Sequence, residues 1–203
     1  MNHDEERFVE LVLGNPVNRA ILERGAELGV SDWWLTAGAV FQTVWNFVDG
    51  QDPGAGIVDY DLFYFDDSDL SWEAEDAVIA RAAVLFADLG VPVEVRNEAR
   101  VQLWYAGHFG VPAAAFTSTR DAVDHFASTT CCVALTRGVD GQVEVYAPHG
   151  FGDVFAQRLR PNPVLAPCEV YEAKAARWVH QWPGLTVDPW PDPAPTAGPH
   201  IPS

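Results

Sequence analysis

Positive charge is what this chain has least of. Lys and Arg together number 12 against 29 Asp and Glu, a formal net charge of −17, and no cluster of basic residues offsets the excess. Such a surface repels a phosphate backbone, which argues against nucleic acid as a partner. A cationic small molecule, or a nucleotide arriving with a divalent metal, suits the charge better. Cysteine is sparse too: Cys131, Cys132 and Cys168 are odd in number and lack C-x-x-C spacing. That speaks against a structural zinc site and for buried thiols in a reducing compartment. No apolar run approaches the ~18 residues of a membrane span. Residues Met1 to Glu6 are acidic rather than apolar, so they do not read as a secretory signal. The expected location is cytoplasmic, with no membrane partner. Also missing are a Gly-x-Ser-x-Gly elbow, a P-loop and a Gly-x-Gly-x-x-Gly turn, which removes the common nucleophile and dinucleotide sites.

Apolar and aromatic residues are plentiful by contrast. Hydrophobic types make up 48% of the chain, and 8 Trp, 11 Phe and 5 Tyr are too many for a disordered polymer. A packed core is expected, with Trp33, Trp34, Trp45, Trp104, Trp178 and Trp182 in it. The length suits one domain, taken as residues 1–188. The Pro-rich segment 189–203 reads as a disordered tail.

Local signals divide the chain. Helices are expected from Asp4 to Leu13 and, behind the cap Asn15 and Pro16, to Leu28. A short strand at Asp32–Ala37 runs through Gly38-Ala39 into a helix carrying Val40, Val44, Phe47 and Val48. After a Gly/Asp/Pro loop, Ile57–Phe65 reads as a strand, followed by a helix from about Ser71 to Leu89 and a strand at Pro92–Arg96. Further helices are expected at 98–106, 119–126, 153–157 and 169–181. A hairpin is expected around Val139-Asp140-Gly141, pairing 130–136 with 142–146.

Within Ile57–Phe65 two carboxylates, Asp59 and Asp61, stand two residues apart. On a strand they share a face and could hold one divalent cation with hard oxygen donors. Glu94 lies one helix later on the next strand, where a third carboxylate could bind metal or accept the proton of an attacking hydroxyl. Upstream, Gly38 and Ala39 form a small-residue turn at a helix start, a place where backbone N–H groups can face phosphate. Taken singly, each of these is more often structural: paired acids in water, a packing glycine, an Asn97 that caps a helix, an Arg100 on a helix surface.

The ordered set Gly38-Ala39, Asp59-x-Asp61, Glu94 resembles the pattern of the DNA polymerase beta-type nucleotidyltransferase superfamily. The chain is more closely similar to a bacterial nucleotidyltransferase-like family within it, through Ala37-Gly38-Ala39-Val40, Asp59-Tyr60-Asp61-Leu62-Phe63-Tyr64-Phe65-Asp66 and Glu94-Val95-Arg96-Asn97-Glu98-Ala99-Arg100-Val101. Tyr146-Ala147-Pro148-His149-Gly150-Phe151, Arg160-Pro161-Asn162, Arg177-Trp178 and Trp182-Pro183-Gly184 extend the likeness over residues 8–190. The resemblance implies an α+β fold, a mixed β-sheet flanked by helices. It implies a Mg2+ (or Mn2+)-dependent enzyme that moves an NMP from an NTP to an unknown small-molecule or protein acceptor. Asp59, Asp61 and Glu94 would be its catalytic metal ligands, and Gly38, Ala39, Asn97 and Arg100 would lie beside the nucleotide. The chain departs from the family at Phe41-Gln42, where Arg-Asn is usual, and at Gln102, where His is usual. The alternative reading is therefore a weak or inactive relative that binds a nucleotide or a protein, and a metal-dependent hydrolase using the same acids is a third.

Overall fold

In the computed structural model, which describes residues 2–192, the helices start where their caps place them. Asn2 accepts a hydrogen bond from the Glu5 amide at the head of α1 (His3–Gly14). Asn15 does the same for Val17 in α2 (Pro16–Arg24), with the proline in the first turn. Asn15 is only 1% exposed, and its side-chain amide also donates to Thr43 Oγ1 (3.1 Å) and to the Tyr60 hydroxyl (3.2 Å). The helix pair is thereby fastened to the elements that carry the acids.

β1 (Trp34–Thr36) leads into α3 (Gly38–Val48). Between them Ala37 has φ +54°, a conformation that strains an L side chain and suits glycine. Ala37→Gly is expected to raise the unfolding free energy by about 1 kcal/mol, seen as a higher urea midpoint at unchanged slope. A lower midpoint would contradict strain at this turn.

The next strand, β2 (Tyr60–Tyr64), begins three residues later than the aromatic run suggests, and Asp59 sits in the loop before it. The loop claims those residues because it is tied down from elsewhere. The buried Asn46 amide donates to the Pro53 and Ala55 carbonyls at 3.1 and 2.9 Å, and its oxygen accepts from the Trp182 indole at 2.8 Å. Gly56 takes φ +70°, a conformation that strains an L side chain, and lies against the side-chain amide of Gln181.

α4 (Trp72–Leu85), capped by Ser71, connects β2 to β3 (Val93–Asn97). A 3-10 turn over Glu98–Arg100 then precedes α5 (Val101–Phe109), where sequence suggested one continuous helix. α6 (Thr119–Asp124) is capped by Ser118, which accepts from the Asp121 amide. The expected hairpin is β4 (Ala134–Arg137) and β5 (Val143–Tyr146), followed by α7 (Gly152–Phe155), β6 (Arg158–Leu159), α8 (Cys168–Gln181) and β7 (Thr186–Val187). The last two strands pair in parallel as a separate ribbon; at two residues each they carry no periodicity to read.

The main sheet has the order β3-β2-β1-β4-β5, parallel between β2 and β3 and antiparallel elsewhere, so the α+β architecture with a mixed sheet flanked by helices is the one observed. Phe41, Trp45, Trp178 and Trp182 stack at ring separations of 4.8 to 5.9 Å in the core. Trp104 departs from expectation: it is 48% exposed, on α5. Cys131 and Cys132 are buried free thiols, and Cys168 is only partly buried. Of the expected tail, Trp190 is ordered against Tyr171 with ring centroids 5.6 Å apart; residues 193–203 lie outside the described residues. Among the described residues no helix is long and apolar enough to cross a membrane.

Candidate active site

β2 has the period-two pattern of a strand with one face in the core. Tyr60, Leu62 and Tyr64 are buried, while Asp61 and Phe63 turn to the opposite face. Register places Asp61 between Thr36 of β1 and Glu94 of β3. Asp59, Asp61 and Gly38 line one cleft of about 380 Å³, and α8 borders the same space with Lys174 and Arg177. Both cations are exposed, neither makes an ion pair among the described residues, and each lies over the Trp178 ring at 5.8 and 5.9 Å. Lys174 is the sole lysine of the sequence.

Burial above all, and then the Asp59 and Glu94 carboxylates, push the Asp61 pKa up to about 7, with Lys174 and Arg96 pulling the other way. An acid held in that state is an oxygen donor whose charge a divalent cation would relieve. Asp59 and Asp61 therefore fit a hard metal ion with positions left over for phosphate oxygens. Glu94 stands beside Asp61 on the sheet but is paired with Arg96, and it lines an adjoining cavity rather than this cleft. Among the described residues, no three His, Cys, Asp or Glu side chains gather around one point.

Three residues expected beside a nucleotide are engaged elsewhere. Ala39 is fully buried and its carbonyl accepts from Asn18 (2.8 Å) and Thr43 (2.7 Å), so the turn offers Ala37 and Gly38 to the cleft instead. Asn97, 3% exposed, donates to the Asp66 carbonyl and accepts from the Asp66 and Ala99 amides. Arg100 pairs with the buried Glu75 and donates to the Leu70 carbonyl. Neither Asn97 nor Arg100 lines the cleft or the cavity beside it. Their hydrogen bonds fix the turn after β3 to α4 and its leading loop.

Sequence reasoning gave no site role to Lys174, Arg177 or Glu98, although Arg177 and Glu98 stand in the motifs that carry the family likeness. The first two had a readable signal: a chain poor in cations sets two of them one helical turn apart on an amphipathic helix. Glu98 is 6% exposed, and burial together with Asp61 pushes its pKa up to about 8. Cys131 also borders the cleft, but burial drives its thiol to about 12, too high for nucleophilic use.

A family model described as nucleotidyltransferase matches residues 23–187. An NMR structure described as revealing a CCA-adding enzyme head domain superposes with a TM-score of 0.74 at 25% sequence identity, covering 91% of this chain and 96% of that one. No curated protein matches the chain.

Proposed function

The chain belongs to the nucleotidyltransferase family, and from that membership we propose a metal-dependent transfer of NMP from an NTP to an acceptor hydroxyl, with Asp59 and Asp61 as the metal ligands. One observation carries the reading: both acids, the Gly38 turn and the cations of α8 border a single cleft.

Asp59 and Asp61 would hold Mg2+ or Mn2+, which when bound neutralises charge on the reacting phosphates. The free N–H groups at the start of α3 and the positive charges of Lys174 and Arg177 suit the β- and γ-phosphates. These two residues supply from across the cleft the charge that Phe41 and Gln42 do not bring. In the transfer, the acceptor oxygen bonds to the α-phosphorus, the bond from that phosphorus to the bridging oxygen of the β-phosphate breaks, and pyrophosphate leaves. The hydroxyl proton passes to the Glu94 carboxylate, which Arg96 keeps oriented.

Isothermal titration with the four Mg-NTPs tests this. Wild type should bind at least one, and the Asp59→Asn/Asp61→Asn pair should not; no binding to wild type would overturn the reading. Lys174→Met should weaken Mg-NTP affinity about tenfold by removing a charge-assisted phosphate contact, with unchanged urea unfolding because the side chain is exposed. Equal affinity in the variant would remove Lys174 from the phosphate site. Phe41 and Gln42, which border the cleft, favour a second reading as a binding relative without turnover. Mg-NTP binding that depends on the acids, with no pyrophosphate released for any acceptor, would select it.

A further inference from the structure

Beside the cleft lies a second cavity of about 310 Å³, and Asp61, Phe63, Phe126 and Lys174 line both. The two spaces therefore meet at the acid that would face the reacting phosphate. Much of the wall away from that junction is aromatic: Trp104, Tyr105 and Phe109 from α5, joined by Phe116 and His125. Tyr105 and Phe116 are buried, but Trp104 keeps 48% of its surface exposed at the open side of the cavity. An open aromatic wall offers flat apolar contact to a ligand.

The polar groups of this cavity are unevenly matched. Asp61, Glu94 and Glu98 stand against Arg96 and Lys174. Arg96 is taken by Glu94, and Lys174 sits at the junction with the phosphate cleft. Glu98 remains: only 6% exposed, it lines the cavity and makes no side-chain hydrogen bond or ion pair among the described residues. A buried carboxyl without a partner is costly, and the space from which a donor can reach it is the cavity itself.

Resting on the nucleotidyltransferase reading, we propose that this cavity is the acceptor site and takes a small molecule with a flat aromatic body, a protonated amine set on Glu98 and a hydroxyl at the end lined by Asp61 and Glu94. The hydroxyl end then reaches the α-phosphorus of an NTP lying in the neighbouring cleft. The amine end answers the surplus acid, in keeping with a chain of net charge −17. Among the described residues the only Lys or Arg side chains lining this cavity are Arg96 and Lys174, too few to make a basic track for a nucleic-acid acceptor.

Three probes of one shape test the proposal: tyramine, the neutral 4-hydroxyphenylethanol and the anionic 3-(4-hydroxyphenyl)propanoate, titrated into the full chain by protein-observed NMR. Tyramine should bind most tightly, with shifts centred on Trp104 and Phe116. Glu98→Gln, which keeps the side chain's shape, should cut the preference for tyramine over the neutral probe about tenfold. Trp104→Ala should weaken all three probes alike and leave the preference standing. Equal affinity for the three, a preference that survives Glu98→Gln, or shifts away from the cavity would overturn the proposal. So would a single-stranded RNA with a free 3′ hydroxyl that displaces tyramine, an outcome that would point to nucleic acid. Mg-ATP titrated in parallel keeps the two levels apart. Loss of nucleotide binding with the tyramine pattern intact would fall on the transferase reading alone.

Discussion

Asp61→Asn is expected to abolish nucleotidyl transfer, by about 10³-fold or more given the several kcal/mol that a metal-held phosphate contributes, and at the same time to make the metal-free protein more stable at pH 8. The second half follows from the first residue's surroundings. Burial above all pushes the Asp61 pKa up to about 7, well above the usual carboxylate range. An acid with a raised folded pKa destabilises the native state when ionised. The cost is absent below about pH 4, grows as pH rises towards 7 and stays constant above. Replacing the carboxyl by an amide removes that cost, a gain on the order of 2 kcal/mol at pH 8 after discounting for the side chain's partial exposure. Urea melts without divalent ions at pH 8 and pH 4 check the sign, and added magnesium should raise the wild-type midpoint while leaving the variant unmoved. A variant that loses activity and is also less stable at pH 8 would mean that Asp61 holds the fold together rather than a metal.

The largest loss of stability from a polar change should come from Glu75→Ala. Glu75 is 5% exposed; it accepts from the Asn97 amide at 2.9 Å and pairs with Arg100, itself bound to the Leu70 carbonyl at 3.1 Å. Truncation strips the Arg100 guanidinium of its carboxylate and leaves the Asn97 N–H without a partner at a largely buried place, at a cost of about 3–5 kcal/mol. The double change Glu75→Leu/Arg100→Leu should recover most of it, because no charge is then stranded. The double variant also decides what Arg100 does. If Mg-NTP affinity is retained in the refolded double variant, Arg100 is a brace for the turn after β3; if affinity falls with stability intact, Arg100 reaches the nucleotide.

That ambiguity shows where sequence reasoning carries and where it stops. The caps at Asn15, Ser71 and Ser118 and the hairpin at Val139-Asp140-Gly141 are local chemistry, legible because their partners lie within four residues. The Asp59-x-Asp61 pair and the Gly38 turn were legible as types, and both do border one cleft. What could not be read is long-range. Asn46, itself held by Trp182, ties down the loop before β2 and leaves Asp59 outside the strand. α8 brings Lys174 and Arg177 to the acids from more than a hundred residues away, and nothing in the local pattern of 168–181 names that destination. Asn97 and Arg100 matched a motif by position, yet the long-range hydrogen bonds they make run to Asp66, Leu70 and Glu75, within 31 positions of the chain. Trp104 looked like core because Leu103-Trp104-Tyr105 puts apolar side chains on successive positions and so marks no single face that will turn inward.

The solitary lysine beside the acids gives the chain an unusual chemical handle. An amine-directed reagent has one side-chain target in the entire polypeptide, so once the α-amine label is set apart by peptide mapping, a single mass increment reports on this cleft without mutation or enrichment. Protection of Lys174 by a nucleotide would then count occupied sites directly, and an aldehyde-bearing ATP trapped by borohydride would leave its mark on one peptide. Substrate screening can in this way proceed before any acceptor is known.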